Sequence, residues 1–190
     1  MIELQHGTFS KYHLGYSFPN GKNKNYLPNE IFVWNNYWKN IMTLPIEKKN
    51  VKIYPFEYLE RKKHKLIKTK KNKNSLIIFS QGGITEKILT KITENIELLK
   101  KYDITFKLHP NEYHMLNEYK KLKLLKNQYN FKIVTKIDIY EHLAKTEFQA
   151  GVFSTVLYEG VEFNCKTILF NLPGIEYMNE FIKKHKPIII

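Results

Sequence analysis

Between residues 75 and 185 the chain alternates short apolar runs with longer stretches in which apolar residues return every three or four positions. "SLIIFS", "ITFKLH", "FKIVT", "AGVF" and "TILF" have strand length. Each is followed by helical spacing: "TEKILTKITENIELLKKY", "EYHMLNEYKKLKLL", "DIYEHLAKT", "STVLYEGVEF" and "GIEYMNEFIKKH". Apolar runs without alternation mark strands buried on both faces, so five of them interleaved with five helices predict a doubly wound α/β domain with a parallel sheet over residues 75–190. Upstream, "IELQ", "EIFVW" and "VKIYPF" read as short strands. A loop rich in Gly, Pro and Asn and a short aromatic helix near "NNYWKNIM" separate them, which makes residues 1–60 a partial α/β segment. The run "ERKKHKLIKTKKNKN", residues 60–74, has no apolar periodicity strong enough for a packed element and predicts a basic linker over 61–74. No repeat is visible beyond the alternation, and the terminal "KPIII" fits either a strand end or a truncation.

Composition narrows the class. With 43% hydrophobic and 14% aromatic residues the chain can fill a globular core, and no apolar run approaches the roughly 18 residues of a membrane span. The opening "MIELQHGTFSKYH" lacks the regions of a signal peptide, which predicts a cytoplasmic protein. Cys165 is the single cysteine; at a helix-to-strand turn it reads as a small buried hydrophobe rather than a reactive thiol. A formal charge of +13 would ordinarily point to nucleic acid or an anionic membrane face. Arg61 is the only arginine, however, and bidentate phosphate and base recognition leans on arginine. A generic basic surface, or proximity to the anionic inner membrane face or an acidic glycan, fits the lysines better than nucleic acid does.

Open parallel sheets bind ligands at the carboxyl ends of their strands, which confines the search for chemistry. In "FSQGG", Gly82 and Gly83 form either a plain turn or a loop that lets backbone approach a phosphate. It is neither a GxGxxG fingerprint nor a P-loop. In "FKLHPNEY", Pro110 biases His109 toward an extended backbone at the strand end, where the imidazole either donates to a phosphate oxygen or is a surface histidine before a helix. In "FSTVLYEG", Ser154 or Thr155 can cap the following helix, and the same geometry is an anion site. Glu159, one turn along, is either an acceptor for sugar hydroxyls or a solvated carboxylate. In "LQHGTF", His6 is either a general base for a hydroxyl or a turn histidine.

Taken together, LQHGT, KLHPNEY and STVLYEG followed by TILFNLPG resemble the bacterial GT-B glycosyltransferases that build capsules and surface glycans. The resemblance is to the sialyltransferase and polysialyltransferase group that uses CMP-sugars, and to the CDP-glycerol glycerophosphotransferases of teichoic acid synthesis. It implies a C-terminal Rossmann-like domain that binds the cytidine nucleotide through a His-Pro motif, matched by His109 and Pro110, and a Ser/Thr pair, matched by Ser154 and Thr155. The glycerophosphotransferases carry a His-Gly-Thr segment whose His is a proposed base, matched by His6, Gly7 and Thr8. The resemblance further implies that a glycan or lipid-linked acceptor attacks the donor and expels CMP, with His109 and the helix N-terminus at Ser154 stabilising the leaving phosphate. No cofactor is expected beyond the CMP- or CDP-activated donor, which is a substrate. No metal is expected either, since Asp103 and Asp138 are the only aspartates and the DxD pattern cannot occur.

The pattern also departs from that family. GT-B enzymes have two Rossmann-like halves, and this chain has room for one, so residues 1–60 read as the tail of an incomplete N-terminal half. The acidic pair plus glycine that supplies the base in several sialyltransferases is absent. The chain is then a fragment of a longer enzyme, one half that a partner chain completes, or a non-catalytic nucleotide-binding or interaction module. A basic RNA-binding protein is the remaining alternative, and it predicts affinity falling steeply with salt.

Overall fold

The computed structural model describes residues 1–10, 12, 27–42 and 46–190. Packing divides the chain into two units, Met1–Arg61 and Lys62–Ile190. Most of the Gly-, Pro- and Asn-rich loop of the first unit lies outside the described residues. Among the described residues no helix is long and apolar enough to cross a membrane.

In the first unit β1 (Ile2–Leu4), β2 (Glu30–Val33) and β3 (Val51–Ile53) form a parallel sheet in the order β1-β2-β3, with Glu3 opposite Ile31 and Ile31 opposite Val51. Helix α1 (Asn36–Ile41) starts where the Asn35 side chain accepts from the Trp38 amide at 3.3 Å. Its buried Trp38 meets Phe9 and Trp34 edge-on, with ring centroids 6.1 and 5.8 Å apart, and packs with Ile31, Val33 and Val51 into a small core.

The basic run does not stay extended. Helix α2 covers Glu57–Leu66, and β4 (Asn72–Phe79) begins within the segment the sequence reads as linker. Glu57 and Glu60 sit in the first turn of α2 and Lys63, His64 and Lys65 in the last, which complements the helix dipole. The run packs through polar ends instead of an apolar stripe. Lys62 pairs with Asp138, Lys63 with Glu162, and Lys71 Nζ donates to the carbonyls of Leu143 and Thr146 at 2.8 and 2.7 Å.

The second unit continues with α3 (Thr85–Glu94), α4 (Ile96–Leu99), β5 (Asp103–Lys107), α5 (Lys120–Gln128), β6 (Phe131–Val134), α6 (Ile139–Lys145), β7 (Thr146–Gly151), α7 (Thr155–Glu162), β8 (Lys166–Leu169), α8 (Asn179–His185) and β9 (Ile188–Ile189). All pairs in the six-stranded sheet are parallel, in the order β6-β5-β4-β7-β8-β9. That is the doubly wound Rossmann order, whose switch point lies between β4 and β7. Leu76, Ile78, Ile104, Phe106, Ala150 and Ile168 on the strands meet Ile88, Leu89 and Ile92 of α3 in one core.

Element boundaries differ from the sequence expectation: the helix expected over 112–125 begins as a 3₁₀ turn over Pro110–Met115 and is α-helical from Lys120. The helix expected over 85–102 breaks at Asn95, whose side-chain amide donates to the Lys91 carbonyl at 2.9 Å and competes with the helical ladder. Strand β7 starts at Thr146 rather than Ala150 and runs through the polar Gln149, which is fully buried inside it. The terminal isoleucines, for which the sequence left a strand end open, form a sixth strand, Ile168 lying opposite Ile188. Cys165 is buried as expected, and burial pushes its thiol up while the Lys71 ammonium opposes the shift.

Candidate functional site

The loops that leave β4, β5, β6 and β7 surround a cleft of about 680 Å³ at the carboxyl end of the sheet. Phe79 and Ser80 enter it from β4, Lys107, His109 and Pro110 from β5, Lys136 and Asp138 from the β6 loop, and Ser154 and Val156 from the start of α7.

The His-Pro corner is rigid for identifiable reasons. His109 has φ −64 and ψ 142, the extended backbone that Pro110 requires, and it opens a 3₁₀ turn over Pro110–Met115. The Glu112 amide donates to the His109 carbonyl at 2.9 Å, and the His109 amide donates to Ser80 Oγ at 2.7 Å. The Asn111 amide donates to His109 Nδ1 at 3.3 Å. A neutral ring that accepts at Nδ1 carries its proton on Nε2, so the edge of His109 away from the turn is a hydrogen-bond donor.

Opposite this corner, Ser154 occupies the N-cap position of α7 with φ −79 and ψ 143, yet its side chain makes no capping bond. Its hydroxyl stands beside the first-turn N–H groups, which have no partner within the helix. The two loops at the switch point are tied together, since the Phe153 amide donates to Gln81 Oε1 at 3.3 Å.

The structure thus brings His109, Pro110 and Ser154 to one cleft, while the other candidates lie elsewhere. Gly82 and Gly83 are on an exposed turn outside the cleft lining, and the φ of +84 at Gly83 accounts for a glycine there. Thr155 is the first residue of α7 and does not line the cleft. Glu159 turns toward Tyr140 of α6 rather than into the cleft: burial pushes its carboxyl up, and a hydrogen bond with Tyr140 opposes the shift. His6 belongs to the first unit. There it lines a smaller hollow of about 390 Å³ with Gln5, Phe32, Trp34, Tyr54 and Phe56, and its Nδ1 lies 3.9 Å from Glu3 Oε1.

A raised carboxyl has a testable sign. Above the ordinary glutamate range of about 4.3 the folded state holds the Glu159 proton more tightly than the unfolded chain, so its contribution to stability falls as pH rises through the window up to the raised value. Glu159→Gln is expected to raise the melting temperature at pH 7 and to leave it unchanged near pH 4, read by thermal unfolding at the two pH values.

Several cleft residues escape the sequence reading. Lys107 Nζ donates to the Leu108 carbonyl at 2.6 Å and to the Tyr113 hydroxyl at 3.1 Å, and Tyr113 in turn donates to the Thr135 carbonyl at 2.6 Å. Asp138 caps α6 by accepting from the Tyr140 and Glu141 amides at 3.1 and 3.3 Å. The Lys62 hydrogen bond, helped by those amides, holds its carboxyl below the usual range. A lysine at the end of a strand, and one of only two aspartates opening a helix, were the available signals.

No family model matches the chain, and no curated protein matches it. Solved structures do. A glycosyltransferase from Rickettsia africae is 16% identical with a TM-score of 0.51, over 100% of this chain and 55% of that one. The UDP-GlcNAc 2-epimerase of Methanocaldococcus jannaschii, solved with UDP-GlcNAc and UDP, is 17% identical with a TM-score of 0.55, over 85% of this chain and 50% of that one. The GtfA/B complex gives 11% identity and a TM-score of 0.50, over 85% of this chain and 34% of that one. The second unit has the Rossmann-like fold of one GT-B domain. At these identities the likeness is one of fold, and the chain spans about half the length of the first two structures it matches.

Proposed function

We propose that the protein is the nucleotide-binding half of a glycosyltransferase whose donor is a CMP-sugar or a CDP-activated polyol, used in capsule or surface polysaccharide synthesis. The observation that supports this most is the convergence of His109 with Pro110 from the β5 end and Ser154 from the β7 side on one cleft at the carboxyl end of a Rossmann-ordered sheet. Apolar lining from Phe79, Leu108, Ile137 and Ile139 suits a base, and the donors suit a phosphate.

In both donor classes CMP is the leaving group. Attack of the acceptor oxygen on the anomeric carbon of a CMP-sugar, or on the terminal phosphorus of a CDP-polyol, breaks the bond to the CMP phosphate oxygen and leaves the electron pair there. The His109 Nε2–H and the N–H groups at the start of α7 meet that charge, with Lys107 and Lys136 adding positive potential. This scheme needs no metal. His6 is proposed as the base that accepts the proton of the acceptor hydroxyl, and a partner chain or further segment as the source of the rest of the N-terminal half. The lysine excess would draw the protein to anionic lipid or an acidic acceptor.

Calorimetric titration of CMP, CDP, UMP and UDP tests the reading. The expected result is cytidine-selective binding that weakens in a Ser154→Ala, Thr155→Ala double variant with an unchanged melting temperature. Preference for UDP would replace the cytidine donor with a uridine one. Absence of all four from the cleft, with RNA retained at low salt, would favour the RNA-binding alternative. Binding without transfer to any acceptor would favour a non-catalytic module.

A further inference from the structure

Glu112 is the buried charge that the proposed function leaves unused. It is 4% exposed, as are Ser80 and Tyr119, the two residues that donate to it. Ser80 Oγ donates to Glu112 Oε2 at 2.6 Å, and the Tyr119 hydroxyl donates to Oε1 at 2.7 Å. Burying a carboxylate is costly unless its acceptors are met, and here the donors to both oxygens are neutral hydroxyls. Burial raises the Tyr119 hydroxyl well above its ordinary value, and the hydrogen bond to Glu112 adds to the shift, so Tyr119 remains a donor throughout the working pH range.

The direction of these bonds fixes the Ser80 hydroxyl. Because the Ser80 proton is committed to Glu112, its oxygen faces the other way as an acceptor, and what it accepts is the His109 amide. Ser80 is itself fixed to the sheet, its amide donating to the Lys107 carbonyl at 3.0 Å. Glu112 returns through its own amide to the His109 carbonyl. His109 is thus held at its backbone N–H and its C=O by the same two residues, and at Nδ1 by Asn111. The ring nitrogen left over is Nε2.

We propose that Glu112 is a positioning residue which, through the Ser80 hydroxyl, holds the His109 corner so that the imidazole keeps its proton on Nε2 and presents it to an anion in the cleft. Glu112 touches no ligand itself. A buried carboxylate three residues past the histidine suits this task better than an apolar residue, because only an acceptor fixes which way the Ser80 hydroxyl points. The identity of the anion as a cytidine nucleotide's phosphate rests on the proposed function; the hold on His109 does not.

The test combines two readouts on the full chain. Nitrogen-15 shifts of the labelled imidazole report the tautomer of His109 without any ligand. Wild type is expected to be predominantly the Nε2–H form, and Glu112→Gln and Ser80→Ala to give a mixture of tautomers. Ser80→Ala removes a single oxygen and leaves Tyr119 bonded to Glu112, so it reports if Glu112→Gln fails to fold. CMP titration then gives a double-mutant cycle. Either substitution is expected to weaken binding about tenfold, the scale of one hydrogen bond to a charged group, and to change it less than about twofold in a His109→Ala background. An unchanged tautomer in a folded variant, or equal losses with and without His109, would overturn the proposal. If wild type binds no CMP, the nucleotide reading fails, and the shifts alone decide whether Glu112 holds His109.

Discussion

Gly160→Ala is expected to lower the unfolding free energy by about 3 kcal/mol, the upper end of what overpacking a core costs. A Cβ at this position of α7 would lie 1.9 Å from Gln149 Oε1 and 2.5 Å from Cδ, in the interior where α7 meets β7. Gln149 cannot swing away cheaply. It is fully buried, and its Nε2 donates to the Leu157 carbonyl at 2.7 Å and to Thr167 Oγ1 at 3.0 Å. Relief therefore breaks those bonds or lifts α7 from the sheet, and either adds to the cost. Gly82→Ala is the matched control. Nothing lies within 4 Å of its Cβ, so stability should stay within about 0.5 kcal/mol. Urea unfolding of the three proteins checks both numbers. A Gly160→Ala loss below about 1 kcal/mol would show that α7 can shift along β7 without penalty.

His109→Ala is expected to weaken CMP binding by roughly ten- to a hundredfold while leaving stability near wild type. Its imidazole is exposed at the cleft, so truncation creates no cavity, and the corner keeps the Ser80 and Glu112 bonds because both engage backbone. What is lost is one donor to a charged oxygen, worth about 1.5–3 kcal/mol. Calorimetry read beside thermal unfolding separates affinity from folding. Unchanged affinity would move the phosphate toward Lys107 and Lys136, the two lysines that also line the cleft.

The doubly wound domain was legible because its strands are apolar runs and its helices carry apolar stripes, as in the buried Ile88, Leu89 and Ile92 of α3. What failed was legibility of polar packing. Helix α2 and the start of β4 are held by Lys62, Lys63 and Lys71 reaching carboxylates and carbonyls, and Gln149 sits in the middle of a strand; neither leaves a periodic apolar trace. The site follows the same division. The placement of His109, Pro110 and Ser154 on one cleft was legible because clefts in this architecture open at the carboxyl ends of the strands. Glu112 was not, because the helix expected over 112–125 would leave it on a solvated first turn, whereas a 3₁₀ turn over Pro110–Met115 directs it inward to Ser80 and Tyr119. Glu159 failed in the opposite sense, since its place on α7 depends on how α6 packs beside it.

The order of the sheet also bears on how the domain folds. Strand β4 lies at the centre, yet its partner β7 follows it in the chain only after everything from Ser80 to Lys145. During synthesis β4, β5 and β6 can zip together while the N–H and C=O groups on the edge of β4 that β7 will cover stay bare. Closing so long a loop against a parallel edge is slow, and a bare edge invites pairing with other chains. Ordered growth of the C-terminal unit therefore depends on β7 arriving before a neighbouring nascent chain does, which favours slow, dilute refolding for any experiment on this protein.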